Sequence, residues 1–211
     1  MKKIFLALML ILVSSLTAQV RNISERQYFR QSDWEVASSF AIGLSKTTYE
    51  STSQNYYAGG SSDEQFYSEI SLAIGFFILE GLSIEPELDY NFFQDDATFS
   101  MIANISYTLH IPKKSIYPFF KVGYGKSGFR GYSYSPYPDN SEGLFGSLNA
   151  NLINASAGLK IIQSSSFAMI LELNYKYITF NQTVSTDYAE PYNVDTKTSA
   201  LSIKIGGSFL L

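Results

Sequence analysis

Cysteine is absent from the 211 residues, which excludes disulfide stapling, thiolate metal sites and a cysteine nucleophile together. Histidine occurs once, at His110, so a zinc site, which draws on Cys and His, lacks its usual ligands. Positive charge is too sparse for a nucleic-acid footprint: 15 Lys and Arg face 19 Asp and Glu, the formal charge is −4, and no basic cluster lies beyond the first residues. Long apolar runs are scarce as well. The run from Ile4 to Val13 covers roughly ten residues, against about 20 for a spanning helix, and nothing later approaches that length. A membrane crossing by this chain must therefore use closed sheet, because only helices and closed barrels satisfy every backbone group in hydrocarbon.

The first residues have the three-part layout of a secretory signal: Lys2 and Lys3, the apolar run, then Ser14, Ser15, Leu16, Thr17 and Ala18. Cleavage is expected after Ala18. Residues 19–33 then read as a short periplasmic N-terminal segment and 34–211 as one domain. With no Cys after the apolar run, a lipoprotein anchor is excluded.

What the sequence does have is period-two alternation, repeated down the chain. Residues 82–93 give the clearest case: Leu82, Ile84, Leu88, Tyr90 and Phe92 share one parity, and Ser83, Glu85, Glu87, Asp89 and Asn91 share the other. Three acids on one face cannot lie in an apolar core. Further strands of this kind are predicted at about 34–48, 64–78, 97–110, 116–127, 148–162, 166–180 and 197–211, making eight, an even number as a bacterial single-chain barrel requires. On the apolar parity the central segments carry no charge. Glu35, Glu69, Glu85, Glu87, Asp89, Lys121, Lys160, Glu172, Lys176 and Lys204 all fall on the opposite one. A lipid-facing surface should exclude charge in this way, since a lysine near the midplane costs about 2–4 kcal/mol.

Connections alternate in length. Residues 79–81, 111–115 and 163–165 are short, whereas 49–63, 128–147 and 181–196 are long and rich in Tyr, Ser, Asn and Asp; 94–96 is a short connection on the long-loop side. Short periplasmic turns and long outer loops are the expected asymmetry. A soluble sandwich or lipocalin-like carrier also alternates, with its apolar face inward. Segments of twelve or more residues, against about five or six for average strands, and aromatics at strand ends such as Trp34, Phe92, Phe99, Phe167 and Phe209 favour the membrane arrangement. The predicted fold is thus all-β: an eight-stranded antiparallel up-and-down transmembrane β-barrel in the bacterial outer membrane, both termini periplasmic.

With LSIEPELDY at 82–90, YPFFKVGYG at 117–125, the Ala18-Gln19 junction and an aromatic-apolar last strand, the chain resembles the small outer-membrane β-barrel family. That family includes the OmpX type and the transmembrane half of OmpA and is often labelled porin-like. The resemblance implies eight to ten strands and roles in structure, adhesion or host interaction. Its last residue is usually aromatic, part of the insertion signal; here Leu211 is last and Phe209 lies two places earlier on the same face.

An eight-stranded barrel is just wide enough to be filled by side chains, so a diffusion pore is not expected. By strand position Glu85, Glu87, Lys121, Lys160, Glu172 and Lys204 lie in or near the periplasmic half, where they are expected to form one salt-bridged network, a structural plug rather than a gate or proton path. No catalytic residue, metal or cofactor is expected. A lipid A-modifying enzyme would need its histidine at the outer rim, and His110 falls at the periplasmic end of strand four. Tyr132, Tyr134, Tyr137, Tyr188 and Tyr192 are the outer-loop candidates for contacts, since tyrosine among Ser, Gly and Asn suits recognition; a loop-borne adhesin or ligand binder is the alternative to a plain structural or surface-interaction role. Expected partners are outer-membrane lipid and lipopolysaccharide, and the insertion machinery through the last strand, with a monomeric barrel. Pro86 conflicts with a closed ladder, and a bulge or local break is expected there.

Overall fold

The computed structural model describes residues 29–51, 61–93, 97–111, 114–128, 148–186 and 189–211. They form eight strands: β1 Trp34–Ser51, β2 Ser61–Leu79, β3 Leu82–Phe92, β4 Ala97–Thr108, β5 Ile116–Ser127, β6 Ala150–Ile162, β7 Phe167–Thr186 and β8 Ala189–Leu210. Each pairs antiparallel with its neighbour in sequence, and β8 returns to β1 to close the barrel. The seam is stitched at its lower end by Trp34 and Leu211, whose N–H groups donate to each other's carbonyls at 3.3 and 2.9 Å.

Alternation decides which face is which. Phe40, Ile42, Leu44, Ile70, Leu72, Ile105, Val122, Ile153, Leu173 and Ile203 are exposed on the outside, while all ten charged residues of the opposite parity are buried. From Trp34 to Leu44 the outer face of β1 is free of charge; ten steps of about 3.3 Å, tilted by roughly 40°, make a band about 25 Å tall, the height of an outer-membrane hydrocarbon layer. Above it charges reappear on the outside, paired with each other: Lys46 with Glu64 at 3.1 Å and Lys197 with Glu50 at 2.8 Å. That hydrogen bond raises the Lys197 pKa above its ordinary value. Aromatic pairs mark the lower rim, Trp34 with Phe76 and Phe167 with Phe209, at ring-centroid distances of 4.9 and 5.1 Å. A lipocalin-like carrier would have the opposite sidedness.

Several expected boundaries differ. The span 181–196 is not an irregular loop: β7 and β8 remain paired from Phe167↔Phe209 up to Thr186↔Ala189. Thr183, Val184 and Thr186 on β7 and Val194, Thr196 and Thr198 on β8 suit a pleated strand, but Asn181, Tyr192, Asn193 and Asp195 beside them read as loop. The first outer connection shrinks likewise, since β1 runs to Ser51 and β2 starts at Ser61. At Pro86 the β2–β3 ladder is interrupted: Ala73 pairs with Glu87 and Phe76 with Ile84, and no pair is formed where Ile74 and Gly75 face Pro86 and Glu85. The register is the same on both sides of the gap. The bulge itself lies elsewhere, between Phe77 and Leu79, next to the turn into β3. Gly81 makes that turn possible with φ +74°, and a Cβ there would meet the Thr108 carbonyl oxygen at 2.4 Å.

The apolar core is small and sits at the lower mouth. Phe29, Phe77, Tyr117, Ile162, Ala168 and Leu210 pack together, with the Phe29 ring 5.4 Å from both Phe77 and Tyr117. Phe29 thus plugs the bore from the segment preceding β1. Its backbone has φ 60°, and Ser32 has φ 71°, positions that cost a non-glycine residue about 1–3 kcal/mol. Three hydrogen bonds hold the segment there: Gly81 N–H to Phe29 O at 2.9 Å, Ser32 N–H to Phe77 O at 2.7 Å and Phe77 N–H to Asp33 O at 3.0 Å.

Candidate functional site

The interior charges fall into two tiers. In the lower, Lys121 of β5 sits 3.5 Å from Glu85, 3.3 Å from Glu87 and 3.5 Å from Glu172, and Lys160 of β6 meets Glu35 of β1 at 2.5 Å across the bore. In the upper, Lys204 of β8 reaches Glu69 and Glu87, both at 2.7 Å, and lies 3.8 Å from Asp89. Lys176 of β7 reaches Glu69 at 2.5 Å and Asp89 at 2.6 Å. Glu87 joins the tiers through Lys121 and Lys204. Six carboxylates thus surround four ammonium groups, all buried.

Neutral groups extend the lattice. Asn174 donates to Asn154 at 2.7 Å, Asn154 to Asn104 at 2.9 Å, and Asn104 to Glu87 at 2.8 Å. Asn104 and Asn154 lie on β4 and β6, with Gly123 of β5 in register with both. A Cβ at Gly123 would stand 2.1 Å from Asn104 Oδ1 and 2.9 Å from the Ala103 carbonyl oxygen, so the amide bridge over β5 requires glycine there. Ser71 and Ser83 donate to Glu69 and Glu85 at 2.8 and 2.7 Å.

Aromatic rings close the lattice at both ends. Below, the Lys160 ammonium lies over Phe29, Phe77 and Phe119 at 5.1, 5.7 and 5.4 Å from their centroids. Above, Tyr67 is buried in the bore and stacks on Phe93 at 5.8 Å.

Of the six network residues predicted, Glu85, Glu87, Lys121, Glu172 and Lys204 are linked to one another, and Lys160 pairs instead with Glu35. Glu35, Glu69, Asp89 and Lys176 complete the lattice. Alternation places these four on the inner face too: Glu35 joins from the lower end of β1, and Glu69, Asp89 and Lys176 from the upper tier, which Lys204 ties to Glu87. Glu69, Glu87 and Asp89 bring carboxylate oxygens within 4.8 Å of one another, a spacing that suits a metal ion. The Lys176 and Lys204 ammonium groups stand among these oxygens and supply the positive charge there. His110 follows β4 at the lower rim, its ring 5.8 Å from Tyr117. Tyr132, Tyr134, Tyr137 and Tyr188 lie outside the described residues, and Tyr192 falls within β8, not in a loop.

No family model matches the chain, and no curated protein matches it by sequence. Solved structures do. The outer membrane protein OprG from Pseudomonas aeruginosa superposes with a TM-score of 0.51 at 12% identity, over 89% of this chain and 99% of that one. The N-terminal barrel domain of Pseudomonas aeruginosa OprF gives 0.43 at 12% identity, over 81% and 97% of the two chains, and the outer membrane enzyme PagL 0.42 at 15% identity, over 77% and 97%. Closed eight-stranded topology, an uncharged outer band and the OprG superposition agree: the chain has the fold of the small outer-membrane β-barrels.

Proposed function

We propose that this protein resides in a bacterial outer membrane as a filled, non-conducting and non-enzymatic barrel, with a structural or surface-interaction role. The filled bore carries the proposal. Between Phe29 below and Tyr67 above, ten acidic and basic side chains and a ladder of amides occupy the section that a pore would keep open. Against catalysis stands the chemistry available: the one histidine lies at the lower rim, away from the outer leaflet where a lipid A substrate would lie, and the buried lysines and carboxylates are held by one another. The expected partners are membrane lipid and lipopolysaccharide around the band, and the insertion machinery at β8, for a monomer.

The test is reconstitution of the refolded barrel into a planar bilayer. No stable conductance steps should appear, and the protein should leave lipid A unchanged; discrete steps or product formation would overturn the proposal. A second reading, a loop-borne binder, is favoured by the length of β7 and β8, which stay paired well above the apolar band. Deleting 128–147 separates the two readings, because a binder should lose a surface phenotype while the barrel keeps its resistance to SDS.

A further inference from the structure

Beneath the Lys121 hub lies a cavity of about 20 Å³, lined by Glu35, Gly75, Glu85, Lys121, Lys160 and Glu172 among others. We propose that it binds one structural water molecule, which joins the Lys160–Glu35 pair to the Lys121 cluster and makes the two a single network.

The size suits the guest. A buried water needs about 10–15 Å³ and two to four polar partners, and this cavity offers five charged side chains. One of them is short of a partner: Glu35 is 2% exposed, its Oε2 takes the Lys160 ammonium, and among the described residues its Oε1 has no hydrogen bond. A buried carboxylate oxygen without a donor has lost its hydration with nothing in return. The neighbouring hub is loosely held, with Lys121 at 3.3–3.5 Å from its three carboxylates, so a donor to Glu85 or Glu172 would be accommodated there too.

The wall leaves room on purpose of its sequence. Gly75 lines the cavity from β2, and a Cβ in its place would stand 3.2 Å from Glu85 Cγ and 3.5 Å from Glu35 Cβ, filling the gap between the two acids. This is also the stretch where the β2–β3 ladder is interrupted opposite Pro86. Water fits the lining better than a metal ion does: it donates to Glu35 Oε1 and to a second carboxylate while accepting from an ammonium, whereas a metal would face Lys121 and Lys160 directly.

The experiment is a crystal structure of the refolded wild-type barrel at about 1.8 Å, grown with sodium and again with choline as the cation. The expected result in both is one density peak at about 2.6–3.2 Å from Glu35 Oε1 and from a Glu85 or Glu172 oxygen, lost in Gly75→Ala. An empty cavity, or one closed by rearranged side chains, overturns the proposal. So does a peak seen only with sodium and surrounded by oxygens at shorter distance, which would mean a bound cation. The wild-type crystals decide the matter even if Gly75→Ala fails to fold.

Discussion

Replacing Lys204 by methionine removes a charge and three hydrogen-bonding protons while nearly conserving volume. In the barrel the ammonium lies 2.7 Å from Glu69, 2.7 Å from Glu87 and 3.1 Å from the Ser71 hydroxyl, and is 1% exposed. Without it, Glu69 keeps Lys176 and the Ser71 hydroxyl, Glu87 keeps Lys121 and Asn104, and the upper tier changes from three carboxylates on two ammonium groups to three on one. Breaking a buried pair from one side costs about 3–5 kcal/mol, since the remaining charge stays buried. With a urea slope of about 2 kcal/mol per M, the unfolding midpoint of Lys204→Met should fall by roughly 1.5–2.5 M. Trp34, the one tryptophan, stands half-exposed on the outer face and reports the transition by fluorescence in lipid vesicles. Adding Glu87→Gln should recover at least about 1 kcal/mol, because the two sites share one interaction. A loss below about 1 kcal/mol in the single variant, the level of an exposed pair, would refute the network as a determinant of stability.

Lys46→Met breaks the exposed pair with Glu64 and should change stability by less than about 1 kcal/mol in the same assay. Val122→Lys places a charge on the middle of the uncharged outer band and should cost about 2–4 kcal/mol in vesicles, while a null effect would mean that this face does not meet lipid. Gly123→Ala forces apart the Asn104 amide and the β4 backbone and should cost about 1–3 kcal/mol, with its outward neighbour Val122→Ala as the control. Phe29→Ala removes the lower plug. Alanine keeps a Cβ at the same positive φ, so the backbone strain stays and the loss should be that of a buried ring, about 3–5 kcal/mol, by the same urea titration.

Strand count, sidedness and pairing order were legible because they follow from a single variable, residue parity. Glu85, Glu87 and Asp89 fix the inner face of β3 on their own, and the other strands must conform. What escaped depends on three-dimensional reach. Nothing in the sequence says that Lys160 crosses the bore to Glu35 rather than turning to Glu85, or that Lys176 and Lys204 share Glu69 and Asp89. In the upper half of the β7–β8 hairpin Tyr, Asn and Asp carry a loop signal locally, and pairing with a partner strand overrides it. Phe29 is invisible for another reason: its burial needs a positive φ that no sequence pattern announces, and its partners come from β2, β5, β6, β7 and β8 together.

The way the ions are shared has a consequence for assembly. Glu35 sits on the first strand and its lysine on the sixth; Lys204 sits on the last strand and its acids on the second and third. A sheet that is curled but not yet joined at the β1–β8 seam would hold these groups unpaired, and water must stay with them until the seam forms. Partial closure therefore gains little, and completion gains everything at once. Barrel closure should be all-or-none, with Trp34 fluorescence and gel mobility following one shared transition and no half-zipped species populated between.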